Sequence, residues 1–430
     1  MCPLAYDAEP GSTEAERAVM LGTLARLIRP IAAEALPHTL APMAALMTRL
    51  GDPQRAVRVV LVAGSTGKTT AAHALAHQYA AQGLGRIGLY TSPHLHVFRE
   101  RYQIVGEDRA LPISPAAFTE HAEAVLDAAE SAPYSTFELA TALAYRWFAV
   151  EQVAVAVMEI GIGGRFDAVN VVQHDRRRGA PALAVITPIE VEHAAMLGGT
   201  LERIAWHKAG VLPHDGTALI AGAQHPAVWR VLRREAAVRR TLLHTAAPLT
   251  HPVIGRFERV PGFPLLVIDG GHTAHALAHS IAQLRDAASQ RDAASQRDTA
   301  SQADAPAEAP VAVVGILRDK PADAIARALA GLPAASTVVI TTPPSVRGLA
   351  ADVLAAAYQQ ETGKRAEVIP ALAEALACAR EAAQGGRPTL IAGSLRIAAA
   401  AREAFGLLDA PTLAEAAATR ALFEAATMRQ

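Results

Sequence analysis

The stretch Gly64-Ser65-Thr66-Gly67-Lys68-Thr69-Thr70 directly follows the apolar run 59–63. It carries the residue types that cradle a phosphate, but not the four-residue spacer between glycines of the common phosphate-loop pattern. A strand ending there, followed by the helical run AAHALAHQYA (71–80), places free backbone N–H groups at a helix N-terminus. The glycines let the backbone approach a phosphate. Lys68 can neutralise β/γ charge, and a threonine hydroxyl can reach Mg2+. The plainer alternative is a tight strand–helix turn that happens to hold a lysine.

Three further constellations carry polar groups at strand ends. In AVMEIGIGGRFDAVN (156–170), Glu159 closes an apolar run and a glycine-rich turn follows. Open α/β sheets bind ligands at that end of a strand, though an edge carboxylate before a loop reads the same way. ITPIEVEHAAMLGGTLERIAWHKAGVL (186–212) holds Glu192, His193 and Lys208. Mg2+ prefers oxygen ligands, so His193 by itself reads as a hydrogen-bonded structural histidine. GRFERV (255–260) and VIDGGHTAHALAHS (267–280) offer Asp269 and His272 around two glycines, either a ribose or phosphate turn or an ordinary strand–helix loop. His73 and His77 have the i, i+4 spacing of a metal pair. They lack the glutamate and third ligand of a metalloprotease motif and read as solvated-face histidines. TSPHLHVFRERY (91–102) mixes histidine with arginine, without a wider basic surface.

Strands must hold these groups. Apolar runs at 57–62, 85–90, 153–158, 182–187, 217–220, 265–269, 311–315, 337–341 and 389–392 alternate with alanine-rich helical stretches. That alternation predicts an α/β fold with a largely parallel sheet covered on both faces. The Pro- and Gly-containing region 240–262 divides a large nucleotide half from a smaller α/β half. The segments RDAASQ, RDAASQ, RDTASQ and ADAPAEAP make 285–310 a low-complexity insertion, disordered or a frayed surface helix.

The chain has 430 residues, too many for one ordinary core, and a formal net charge of −1. That balance gives no basic field for nucleic acid. No uninterrupted apolar stretch suits a membrane span, and the acidic start lacks signal-peptide order. Two cysteines, Cys2 and Cys378, form no disulfide framework, which suits a reducing cytoplasm. Lysine is rare: Lys68, Lys208, Lys320 and Lys364 are all there are, and arginine supplies the remaining positive charge.

Taken in order, the motifs resemble the folylpolyglutamate synthase and dihydrofolate synthase family of the Mur ligase superfamily. The most specific pieces are GLYTSPHLHVFRER (88–101), FELATALAYRWFA (137–149), EIGIGGRFDAVN (159–170) and HAAMLGGTLERIAWHKAG (193–210), and the likeness runs from about 40 to 406. The resemblance implies a P-loop central domain with a mostly parallel sheet at 45–254, after an N-terminal extension and helix at 1–44. A Rossmann-like ligase domain follows at 255–430. It implies that Gly64, Ser65, Thr66, Gly67, Lys68, Thr69 and Thr70 cradle ATP. Mg2+ falls to Thr70 (with Thr69 able to substitute), Ser92, Glu159 and His193. The lysine usually carbamylated in the superfamily falls on Lys208, and Lys68, His193 and Lys208 carry the catalytic roles. Arg256, Asp269, His272 and Ser394 fall on nucleotide-binding positions, and Lys320 matches the family's Asp-Lys pair. The implied reaction activates a pteroate or folate-like acid as an acyl phosphate and joins it to glutamate. The implied protein is cytoplasmic and mostly monomeric, with no nucleic-acid or membrane partner.

The sequence departs from the family in places. The loop reads G-S-T-G-K-T-T where the family has G-T-N-G-K-G-S. D-G-G-H-T-A stands for D-G-A-H-N-P, and V-E-H for L-D-H. Between ALIAGAQHP and GRFE the family carries a further segment, with a G-x-H-Q-x-x-N-A helix at the adenine site. Here RRTLLHTAAPLTHPVIGRFE runs almost directly from one to the other.

Overall fold

The computed structural model describes residues 12–29, 38–107, 109–173, 182–298 and 309–427. The chain divides into two compact units, 1–251 with 410–430, and 252–409.

The first unit is built on eight strands: β1 (Arg58–Ala63), β2 (Ile87–Tyr90), β3 (Tyr102–Val105), β4 (Ala110–Pro112), β5 (Val155–Glu159), β6 (Leu183–Ile186), β7 (Thr217–Ala221) and β8 (Leu242–Ala246). Their order is β4-β3-β2-β5-β1-β6-β7-β8. β2 through β8 pair in parallel, and β3 and β4 add an antiparallel edge. Side chains of β1 alternate between two cores. Val59, Leu61 and Ala63 join one, and Val60 and Val62 the other. Ala156 and Met158 of β5 face the first core, Val155 and Val157 the second. Burial on both faces explains why these strands read as continuous apolar runs rather than alternating ones.

The second unit carries β9 (Glu258–Arg259), β10 (Leu266–Ile268), β11 (Val311–Val314), β12 (Thr337–Ile340), β13 (Glu367–Val368) and β14 (Thr389–Ala392). Their order is β13-β12-β11-β14-β10-β9, parallel except for β9. All nine expected strand positions hold strands. The added ones are the short antiparallel β3, β4 and β9, the two-residue β13, and the edge strand β8, whose Leu242 is 66% exposed.

Three expectations need correction. The C-terminal helix Ala410–Thr427 belongs to the first unit, not the second: Ala426 is buried in its core, with Leu422 and Phe423 packed against it. Of the two alternatives for the insertion, the helical one holds as far as 298, because the helix Ala274–Asp298 runs through two of the three repeats, but the first repeat is not wholly on the surface. Leu277, Ile281, Leu284 and Ala287 of that helix are buried in the second unit's core. Residues 299–308 lie outside the described residues. Finally, His73 and His77 are not a solvated face. Both stack with His251, at 6.2 and 4.0 Å between ring centroids. Burial, with His77 and His251 beside it, pulls His73 down to about 3, and burial with His251 pulls His77 to about 4. Among the described residues no helix is long and apolar enough to cross a membrane.

Candidate active site

The carboxyl ends of four neighbouring parallel strands, β2, β5, β1 and β6, carry the loops that hold the first unit's predicted residues, and Thr69, Ser92 and Glu159 meet there. β1 ends at Ala63 and the helix Lys68–Ala81 starts four residues after Gly64, so the loop 64–67 is a sharp strand-to-helix turn. Gly64 has φ 142° and Gly67 φ 83°, backbone regions that side chains with a Cβ rarely enter. A Cβ on Gly64 would lie 1.9 Å from Thr187 Oγ1, because the loop is pressed against the end of β6.

The segment after β6 holds the loop in shape. The Ser65 and Thr66 backbone N–H groups donate to Pro188 O at 2.9 and 3.3 Å. Ser65 Oγ donates to Glu190 O at 3.1 Å and accepts from Glu190 N at 2.9 Å, and Thr66 Oγ1 donates to Glu190 Oε1 at 3.2 Å. Glu190 was not singled out from the sequence. Its only signal was its place just past a strand end, in PIEVEH.

Glu159 closes β5 and is 1% exposed. Thr69 Oγ1 donates to its Oε1 at 3.1 Å, and the Ser92 backbone N–H donates to its Oε2 at 3.1 Å. The phosphate-loop hydroxyl on Glu159 is thus that of Thr69. Thr70 follows it in the same helical turn. A carboxylate and a hydroxyl side by side make an oxygen-rich donor set, of the kind a hard divalent cation takes.

Lys208 is 2% exposed and donates to Gly64 O at 2.6 Å and Glu192 Oε1 at 2.7 Å. Burial pulls it down to about 8 despite Glu192. Burial acts to raise Glu192, but the Lys208 and Lys68 ammonium groups outweigh it and hold the carboxyl at about 2. Lys68 Nζ folds back to donate to Ser65 O at 3.3 Å. His193 is exposed, with left-handed backbone (φ 47°), and begins the short helix Ala194–Leu197. Asp167 is a second group the sequence did not single out. Burial raises it to about 6, although it accepts the Ile162 and Val169 N–H groups at 2.9 and 3.0 Å. Two lysines and the carboxylates of Glu159, Glu192 and Asp167 thus share the loop's surroundings, a density of charge more often found at functional sites than elsewhere.

In the second unit, the remaining predicted residues lie on the carboxyl edge of its own sheet. Asp269 follows β10 and accepts from Gly271 N at 2.8 Å and from Ser280 Oγ. His272 Nδ1 faces Gly270 O at 3.3 Å. Ser394 follows β14, caps the helix Leu395–Ala404 and accepts from Ile397 N at 3.2 Å. Gly393 N donates to Gly271 O at 3.1 Å, which joins the two turns. Arg256 sits at the end of the hairpin that leads into β9, bridged to Val253. Lys320, in the loop after β11, pairs with Asp319 at 2.9 Å.

Residues 255–395 match the family described as Mur ligase, glutamate ligase domain. The chain is 29% identical to the folylpolyglutamate synthase of Lacticaseibacillus casei, over 83% of this chain and 92% of that protein. It is 36% identical to the dihydrofolate synthase/folylpolyglutamate synthase of Bacillus subtilis over 202 residues, 45% of this chain and 44% of that one. Among solved structures, Mycobacterium tuberculosis folylpolyglutamate synthase complexed with ADP matches with a TM-score of 0.73 at 27% identity. That match covers 91% of this chain and 99% of the other.

Proposed function

Since the chain belongs to the folylpolyglutamate synthase and dihydrofolate synthase family of the Mur ligase superfamily, we propose that it is an ATP-dependent ligase joining L-glutamate to a dihydropteroate or folate-type acid. The observation that carries this reading is the meeting on Glu159 of the Thr69 hydroxyl from the phosphate loop and the Ser92 N–H from the turn after β2. In this reading the loop after β1 is the phosphate cradle and Glu159 the metal carboxylate, and their contact supports the assignment.

In this reading the γ-phosphoryl group of ATP passes to a carboxylate oxygen of the acid, and ADP leaves. The glutamate amine then attacks the acyl carbon, phosphate leaves, and the amine loses its surplus proton. The loop N–H groups and Lys68 stabilise charge on the transferring group. Glu159, the hydroxyls of Thr69, Thr70 and Ser92, and His193 would hold Mg2+, which would neutralise phosphate charge when bound. As a free amine, Lys208 fixes the loop through the Gly64 carbonyl; as a carbamate it would supply oxygen ligands instead. Lys208, held at about 8 by burial, has more neutral amine to react with CO2 than an exposed lysine. Arg256, Asp269, His272 and Ser394 are assigned to the nucleotide and Lys320 to the second unit's polar edge. The protein is read as a cytoplasmic monomer.

A second reading, a non-catalytic nucleotide-binding homologue, is favoured by one observation: only residues 247–254 separate β8 from Gly255, where the family carries its adenine segment. One assay separates the two. The protein is given Mg-ATP, glutamate and either dihydropteroate or tetrahydrofolate, and ADP release is followed. Acid-dependent release that disappears in Lys68→Ala is the expected result. No turnover with either acid from folded protein sinks the folate ligase. ATP binding without turnover then favours the homologue.

A further inference from the structure

The turn that brings Ser92 to Glu159 is held from its far side by the C-terminal helix. Within 92–101, Glu100 is buried and accepts the N–H groups of Leu95, His96 and Val97 at 2.7, 3.0 and 2.9 Å, so the turn is wound around one carboxylate. Its neighbour Arg99 points the other way. Arg99 Nε and Nη2 donate to the two carboxylate oxygens of Glu415 at 2.9 and 2.8 Å, and Nη1 donates to Ile113 O at 2.7 Å. The side chains of Arg99 and Glu415 are only 12% and 3% exposed. Two helical turns later, Phe423 lies 5.3 Å from the His94 ring and 5.9 Å from the Phe98 ring, stacked on the latter. Arg101 contacts the same two rings, 4.7 Å from the Phe98 ring and donating to His94 Nδ1 at 3.2 Å. A buried bidentate pair and an aromatic stack therefore grip the turn at 94, 98 and 99, while its first residue donates to Glu159.

We propose that the C-terminal helix Ala410–Thr427 is a brace for the metal carboxylate. Glu415, through Arg99, and Phe423, through His94 and Phe98, are positioning residues that keep the Ser92 N–H on Glu159. The inference rests on the ligase reading only in taking Glu159 as the carboxylate that holds the divalent cation. The physical reason is geometric. A backbone N–H can orient a carboxylate only if its turn is fixed, and a turn on the surface of a sheet edge is fixed by what packs on its outer side. Partners behind a metal ligand commonly set its affinity by about 10–100-fold.

The test uses the full chain with Glu415→Gln and Phe423→Ala, and the reciprocal pair Arg99→Glu/Glu415→Arg as rescue. Amide exchange over 92–101 is measured without ligand, and Mn2+ dependence of ATP binding is measured by calorimetry. The expected result is faster exchange confined to 92–101 and its packing partners, with an apparent Mn2+ affinity about 10-fold weaker. The reciprocal pair should restore part of both. A merely structural helix would lower the melting temperature and leave exchange at 92–101 and the Mn2+ dependence as in the wild type, which overturns the brace. If wild-type protein binds no Mn·ATP, the ligase reading fails. The exchange arm then decides the brace alone: unchanged exchange at 92–101 in both variants refutes it.

Discussion

The tightest approach in the phosphate loop gives the sharpest prediction. Gly64 and Gly67 both sit at positive φ, 142° and 83°, so a Cβ at either costs backbone strain of about 1–3 kcal/mol. Only Gly64 is also crowded. A Cβ there would meet Thr187 Oγ1 at 1.9 Å, Thr187 O at 2.9 Å and Thr187 Cβ at 3.0 Å, whereas nothing lies within 4 Å of one on Gly67. Thr187 cannot step aside easily. Its N–H donates to Ala63 O at 2.8 Å, its hydroxyl donates to the same carbonyl at 3.3 Å, and its own carbonyl accepts from Gln224 Nε2 at 3.0 Å. Overpacking at such a site adds about 1–3 kcal/mol. Gly64→Ala should therefore cost about 2–6 kcal/mol, and Gly67→Ala only the strain. The assay follows tryptophan fluorescence in urea. Trp147, Trp206 and Trp229 are the only tryptophans of the chain and all lie in the first unit, so the signal reports that unit alone. Gly64→Ala should also lengthen the contact of Lys208 with Gly64 O and weaken ATP binding more than Gly67→Ala does. Equal stability losses in the two variants, within about 0.5 kcal/mol, would refute the argument that the loop is pressed onto β6.

Lys208→Met should destabilise the first unit by about 3–5 kcal/mol, because it strands the Glu192 carboxylate in a buried site; Lys208→Met/Glu192→Gln should regain part of that loss in the same fluorescence titration. A cost below about 1 kcal/mol for the single variant would mean that solvent reaches the pair. Stability should fall as pH drops below about 6.5, because the unfolded histidines take up protons that His73 and His77, held at about 3 and 4 by burial, refuse until lower pH. His73→Leu should flatten the decline between pH 6 and 4 by about 1.4 kcal/mol per pH unit. An unchanged slope would show that His73 is not buried as a neutral imidazole in solution.

The strands and their end loops were legible in the sequence for a physical reason. A parallel sheet buried on both faces turns each strand into a short apolar run, and its connections return all carboxyl ends to one edge. Polar residues at the ends of such runs, such as Glu159 closing β5 and Lys68 after β1, are therefore brought to one edge whatever their separation in the chain. Glu190 obeys the same rule but was hidden by its neighbours. In PIEVEH two carboxylates precede one histidine, and nothing in the order of residues says that the first ties down Ser65 and Thr66 while the second meets Lys208.

The elements that escaped are paired across distances that no local period encodes. Arg99 and Glu415 are 316 residues apart, and an Arg–Glu pair at that separation has no pattern to distinguish it from ordinary surface charge. The stack of His77 on His251 is of the same kind. The repeat is a different case, because its signal was present and outweighed. Leu277, Ile281, Leu284 and Ala287 recur at steps of four, three and three, an apolar stripe at helical spacing that continues into the first RDAASQ. Polar low-complexity composition argues for disorder only when a segment has no apolar face to bury. Here the arginine, aspartate, serine and glutamine of the first repeat fall around one small buried alanine. Alanine at that position costs little side-chain entropy and has high helix propensity, so the helix can run past the last large apolar residue. Composition was the wrong level at which to read that segment, and its phase relative to Leu284 was the right one.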